Sequence, residues 1–362
     1  MKNQNPILTL FVLVFAAALF LFLLAASLPS VNSQSRERRV NANSESSPSA
    51  NQPERKPGLN SGTEIVKVDV DLVKVDALVL QKKTARVVGG LKQEDFVLYE
   101  DGAKQTITHF SQDTLPLSVL LLIDRGGCLD PFSDTVHRAA MDAVARLKPV
   151  DEVAVMAYAD TTLLMQAFTR DRSLIEQALE RVPPHDEMAD HCLNKLFFEA
   201  ANYMERASNP TGRRVIVAIT GVTRNFDCAG GPSGKTAAQA VYESGSVVSA
   251  IIPKVDEQGL ENGIMVWATR IGRLGHAPYM DIETLANETG GELLADKPEN
   301  LNSTFQTLMD HLRSRYNLAF VSSNKKRDGT TRKLRVEVNP TLEKSQGKLV
   351  VKARRSYVAP KS

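Results

Sequence analysis

Cysteine is scarce in this chain, with three in 362 residues. That is too few to frame a disulfide-built mini-protein, so the fold has to rest on apolar cores, and the length allows roughly two or three domains that each have one. Charge of one sign is lacking as well: 44 basic and 42 acidic residues leave a net charge of +2. A dedicated nucleic-acid binder is basic across a whole domain, so that class is set aside. With 43 % hydrophobic and 24 % charged residues, the chain has neither the poverty of apolar residues that marks disorder nor the apolar excess of a multi-spanning membrane protein. The near-zero total hides an uneven distribution. Residues 323–362 hold twelve Lys and Arg against three Asp and Glu, a local +9, and the first 322 residues therefore carry −7.

What is present begins with an export signal. Lys2 is the only charge in the first 33 residues, and an apolar run of 22 residues follows from Ile7 to Leu28. That length suits either a long signal-peptide core or a single membrane anchor. The small-residue site Val31-Asn32-Ser33 favours cleavage before Gln34. Residues 1–33 are thus read as signal peptide or anchor, and the Ser-, Asn- and Pro-rich stretch 34–62 as a disordered linker with nothing to bury. The protein is expected outside the cytoplasm, in the periplasm, the cell envelope or secreted, with membrane contact only through this N-terminal segment.

The mature chain changes period twice. Residues 64–81 (EIVKVDVDLVKVDALVLQ) alternate with period two and slip phase near Leu72-Val73, which predicts strand structure with a bulge. DFVLYEDGAKQTITHF then reads as two short strands about Asp101-Gly102. From Leu117 strands alternate with helices. SVLLLID (118–124) and RRVIVAIT (213–220) are continuous apolar runs of the kind buried on both faces of a parallel sheet. Helices are predicted near 133–147, 171–182, 193–207, 235–244, 281–289 and 299–314, with further strands at 152–159, 162–169, 246–253 and 291–296. This pattern predicts a doubly wound α/β sheet whose ligand crevice lies at the carboxyl ends of its strands. After Tyr316 the period returns to two in YNLAFVSS, KLRVEVNP and GKLVVKARRSY. Neither flank holds enough strands to stand alone. Segments 63–114 and 315–362 are therefore expected to pair into one small all-β domain, with the α/β domain, 115–314, inserted between them.

This order resembles a von Willebrand factor A domain. The phrases VGGLKQEDFVLYEDG, LKPVDEVAVMAY, ETGGELL and LRSRYNLAFV, followed by DGTTRKLRVEV and VKARRSYVAP, are similar to the von Willebrand factor A-related proteins of the acidobacterial type, over about residues 64–360. The resemblance implies a Rossmann-like sheet used to bind other proteins, with a metal-ion-dependent adhesion site at its upper edge. The first loop of that site has the pattern Asp-x-Ser-x-Ser, whose oxygens suit Mg²⁺. Here the stretch is Asp124-Arg125-Gly126-Gly127-Cys128, so both hydroxyls are replaced, one by glycine and one by a thiol that is a poor ligand for Mg²⁺. In the second loop Asp190 is the nearest match to the usual threonine. In the third, Thr-Asp-Gly is replaced by Thr220-Gly221-Val222. Asp124 and Asp190 are the remaining metal candidates, in a site degenerate at Gly126, Cys128 and Gly221.

Cys128, Cys192 and Cys228 fall in these same three loops. In an exported protein a disulfide between two of them is favoured over a thiolate Zn²⁺ site helped by His191 or Asp124. Cys128–Cys192 and Cys192–Cys228 are the pairings expected. A thiol enzyme with Cys128 as nucleophile and His191 or His185 as base is the catalytic alternative. Gly-Gly-Cys is not the Gly-x-Ser-x-Gly elbow, however, and no oxyanion donor is identifiable. The stretch Gly230–Thr236 is one residue short of a phosphate-binding loop and is read as a turn that caps the next helix. His109, His137, His276 and His311 are scattered surface or packing residues. Asp69, Asp71 and Asp76 are read as a solvated strand face, with a weak Ca²⁺ contact as the alternative, and Trp267 and Tyr279 belong to an insertion over 260–280 read as a flap packed over the sheet edge, with an exposed binding loop as the alternative. The resulting expectation is an exported, non-enzymatic protein-binding or adhesion-type module without a cofactor, whose ligand is a protein or a cell-surface molecule. The alternative is adhesion through a divalent cation such as Mg²⁺ on Asp124 and Asp190.

Overall fold

Alternation of apolar and polar residues builds β1 (Leu72–Gln81), in which Val73, Val75 and Ala77 turn inward while Leu72 and Lys74 face out. Ala77 to Leu80 are then buried in succession, so that end of the strand is covered on both sides. The computed structural model describes residues 72–112, 115–125, 129, 133–183, 191–225, 231–254 and 280–361, which lie within the unit Lys67–Ser362. The N-terminal apolar run, the linker, Asp69, Asp71, Gly126, Cys128, His185, Asp190, Cys228, Gly230, Trp267, His276 and Tyr279 lie outside the described residues. Among the described residues no helix is long and apolar enough to cross a membrane.

After β1 come β2 (Phe96–Glu100), β3 (Ala103–Gln105) and β4 (Ile107–Ser111). Asp101 and Gly102 both have positive φ, +47° and +84°, as the tight turn between β2 and β3 requires. The α/β part follows with β5 (Leu117–Asp124), α1 (Ser133–Ala145), β6 (Glu152–Tyr158), β7 (Thr162–Thr169), α2 (Arg172–Glu180), α3 (Leu193–Tyr203) and β8 (Arg213–Ile219). It continues through the short β9 (Arg224–Asn225), α4 (Gly234–Ser244), β10 (Val247–Pro253), the short β11 (Met280–Asp281), α5 (Ile282–Thr289), β12 (Leu293–Asp296) and α6 (Leu301–Arg313). The chain closes with β13 (Tyr316–Val321), β14 (Thr331–Val338), β15 (Leu349–Ala353) and β16 (Ser356–Val358). Ser233 caps α4 by accepting from the Thr236 amide at 3.1 Å, which gives the Gly-rich stretch its capping role.

Six strands form the α/β sheet in the order β12-β10-β8-β5-β6-β7. Five run parallel, and β7 pairs antiparallel with β6. Counted along the chain this is the order 3-2-1-4-5-6 with the third strand reversed, and the switch point lies between β5 and β8. Because side chains alternate across a strand, the apolar run of β5 feeds two cores. Leu117, Val119, Leu121 and Ile123 pack with α1, α2 and α6, and Leu120 and Leu122 pack with α3, α4 and α5. Each such buried aliphatic side chain contributes roughly 1.5–3 kcal/mol of transfer free energy.

The flanking strands pair across the α/β part into two four-stranded sheets, β15-β1-β13-β4 and β16-β14-β2-β3. They share a core that includes Val75, Leu98, Tyr316, Phe320 and Leu334. Phe96 and Tyr316 meet there with ring centroids 5.0 Å apart. Three sequence expectations are corrected. DFVLYEDGAKQTITHF makes three strands, because β4 leaves the β2–β3 hairpin and pairs with β13 in the other sheet. GKLVVKARRSY is two strands, since the chain passes from β15 in one sheet to β16 in the other. Asp76 is not on a solvated face: it pairs at 2.7 Å with Arg213, a guanidinium whose side chain is 1 % exposed. Arg213 also donates to the Leu312 carbonyl at 2.5 Å and to Asn317 Oδ1 at 2.9 Å, so it ties β8 to β1 and β13.

Candidate functional site

The strand-to-loop junctions at the switch point define the site. β5 ends on Asp124, a carboxylate at the close of an apolar run, and β8 is followed by Thr220 at the same level of the sheet. Thr220 Oγ1 donates to Asp124 Oδ2 at 2.5 Å and accepts from the Val222 amide at 3.0 Å. One hydroxyl therefore fixes both the carboxylate and the turn after β8. The Arg125 amide reaches the Tyr158 carbonyl at 2.7 Å, which carries the β5–β6 ladder one residue past the strand.

His191 comes from the other side. The Cys192 amide donates to the Ala159 carbonyl at 3.2 Å, and this anchors the entry to α3 beside the end of β6. In that position His191 Nε2 lies 3.1 Å from Asp124 Oδ1. The Asp124 side chain has no exposed surface and that of His191 is 17 % exposed. Both carboxylate oxygens thus have a partner supplied by the protein, in keeping with the cost of burying an uncompensated charge. Cys192, 5 % exposed, precedes the first residue of α3 and is disulfide-bonded.

Of the residues singled out in the sequence, Asp124, His191 and Thr220 are brought together, and Cys192 is the next residue along from His191. Asp190, Cys128 and Cys228 are outside the described residues, and Gly221 is exposed in the turn beyond Thr220. Among the described residues no group of three His, Cys, Asp or Glu side chains is placed to hold a metal ion. The rim carries mixed charge: Arg224 pairs with Asp281 at 2.5 Å where β9 meets β11, and Lys195 reaches the Asp160 carbonyl at 3.4 Å. Sequence reading named His191 only as a helper of a thiol or a metal. Its contact with Asp124 depends on a loop 67 residues away along the chain, and period or motif carries no sign of it.

Neither a family model nor a curated protein matches the chain. Solved structures do resemble it. An aerotolerance-related membrane protein from Bacteroides fragilis is 18 % identical with a TM-score of 0.37, covering 54 % of this chain and 98 % of its own. The vWF domain of the type V pili tip protein Mfa5 from Porphyromonas gingivalis is 10 % identical with a TM-score of 0.37, over 55 % of this chain and 95 % of its own. Proximal thread matrix protein 1 from the mussel byssus, solved with a zinc-occupied MIDAS motif, is 13 % identical with a TM-score of 0.40, over 54 % of this chain and 48 % of its own. At such identities and scores the likenesses carry nothing about ligand, partner or location. Strand order, the single reversed edge and the aspartate facing the switch point make the α/β part of this chain von Willebrand factor A-like in fold.

Proposed function

We propose that the chain is an exported, non-enzymatic binding module that engages a protein or cell-surface partner through the carboxyl edge of its six-stranded sheet, without a bridging Mg²⁺. The observation that carries this reading is the occupancy of Asp124. Its two oxygens face Thr220 Oγ1 at 2.5 Å and His191 Nε2 at 3.1 Å in a side chain closed to solvent. A Mg²⁺ ion asks for near-octahedral oxygen ligation, and among the described residues the carboxylate faces an imidazole and one hydroxyl. Gly126, Cys128 and Gly221 stand where the resemblance implies a hydroxyl, a hydroxyl and a carboxylate. This donor set supports a reading without the ion. In this reading the disulfide at Cys192 staples the loop that holds His191 in place, and the edge serves as a rigid protein surface.

Calorimetric titration of the full chain with Mg²⁺ is expected to show no saturable binding in the micromolar range, and capture of a partner from the envelope fraction is expected to survive EDTA. Micromolar Mg²⁺ binding that Asp124→Ala abolishes would instead establish a metal-dependent adhesion site.

A further inference from the structure

At the amino edge of the same sheet, the last turn of α4 meets the flanking strands around a cleft of about 1110 Å³, slightly larger than the usual range for small-molecule sites. Its charge is one-sided: Lys74, Lys325, Lys326, Arg332, Arg354 and Lys361 line it against a single carboxylate, Glu243. Two of these cations are not ordinary surface groups. Arg332, 3 % exposed, is held within the protein: Nη1 pairs with Glu100 at 3.3 Å and donates to Ser322 Oγ at 3.0 Å and to the Asn324 carbonyl at 2.8 Å, and Nη2 donates to the Lys326 carbonyl. Arg354 is half-buried and donates Nη2 to the Tyr242 carbonyl at 3.2 Å, one donor of five used to cap α4. Burial draws its pKa below the ordinary arginine value, against the opposing pull of Asp76. No carboxylate among the described residues forms an ion pair with it. A desolvated guanidinium without a counter-ion costs free energy that an anion recovers, and the planar fork suits an oxyanion.

The remaining wall is apolar. Leu72 is 46 % exposed, and Val321 and Val358 stand beside it. We propose that this cleft binds an oxyanion-headed amphiphile, with its head on Arg354, the lysines around the rim, and its apolar body against Leu72, Val321 and Val358. The site is separate from the Asp124 edge and does not depend on the function proposed for that edge.

The test is calorimetric titration of the full chain with octyl phosphate below its micelle-forming concentration, with octyl glucoside and inorganic phosphate as the two half-ligands. Saturable binding of octyl phosphate is expected, with each half-ligand at least about tenfold weaker. Arg354→Gln and the double variant Lys325→Gln/Lys326→Gln should each weaken octyl phosphate about tenfold, the scale of one charge-assisted hydrogen bond. Both lysines are exposed, so the double variant reports on binding even if Arg354→Gln loosens α4. Asp124→Ala should leave the affinity unchanged. Three results overturn the proposal: no saturable binding of octyl phosphate, equal affinity in the lysine double variant, or inorganic phosphate binding as tightly as octyl phosphate.

Discussion

Two buried carboxylates at opposite ends of the same sheet are made tolerable by different means. Glu152, 2 % exposed at the start of β6, accepts from Ser118 Oγ at 2.6 Å, from the Ser208 amide at 2.7 Å, from the Asn209 amide at 3.2 Å and from the Ser208 hydroxyl. Burial works to raise its pKa, but these four bonds outweigh it and the net shift is downward. A carboxylate whose folded pKa lies below its unfolded value adds stability that is present above the unfolded value and is lost as pH falls through the folded one. Glu152→Gln should therefore cost about 1–3 kcal/mol at neutral pH, and much less below about pH 4. Urea unfolding at pH 7, 5, 4 and 3 measures the convergence, and parallel curves for parent and variant would exclude it. Asp124 is held, among the described residues, by Thr220 and His191, both from loops. Its place at the end of LLLID was legible in the sequence; its partners were not, because they are set by which strand lies next to β5.

At the scale of elements, the phrase ETGGELL shows how a short motif records a close approach. Gly290 ends α5 at φ +80°, and a Cβ there would lie 2.6 Å from the Ala353 carbonyl carbon and from the Arg354 amide nitrogen. A Cβ on Gly291 would come within 1.8 Å of the Val248 carbonyl oxygen. The main chain leading into β12 is pressed against β10 on one side, and the β15–β16 junction is pressed against the end of α5 on the other. Gly291→Ala should cost more than about 4 kcal/mol or leave the protein insoluble, because backbone rather than a side chain would have to move. Soluble yield and thermal melting decide it, and a melting temperature within a few degrees of the parent would show that β10 and β12 can part. Most helices and the six-strand alternation were legible from the sequence, since long apolar runs and helical spacing report burial directly. The changes of sheet at β4 and β16 were not. Period two says that a segment is extended but not which edge it joins, and both switches occur at turns without Gly or Pro to mark them.

Across the whole molecule, Arg213 is the joint between the α/β sheet and the strands that flank it. Removing it would strand Asp76 and take a buried donor from Asn317 and from the Leu312 carbonyl. Arg213→Ala should cost about 3–5 kcal/mol, the usual penalty for breaking a buried ion pair from one side. Equilibrium unfolding measures it, and a loss below about 1 kcal/mol would mean that packing alone joins the two parts. The charge asymmetry also resolves at this scale. The basic excess of the closing segment includes Lys325, Lys326, Arg332, Arg354 and Lys361, which converge on one cleft, whereas Arg335 lies over the Tyr99 ring at 4.0 Å on the outer strand face. The placement of β1 has a mechanical meaning. It is an inner strand, bonded to β13 on one side and β15 on the other, and it lies ahead of everything else described in the chain. Tension applied from the N-terminal side enters through two ladders loaded along their length, each closed by a strand that follows the α/β part. Resistance to such a pull is set by the unfolding barrier rather than by equilibrium stability. A module tethered at that end and gripping at the carboxyl edge of its sheet would meet load with the strands best supported to bear it.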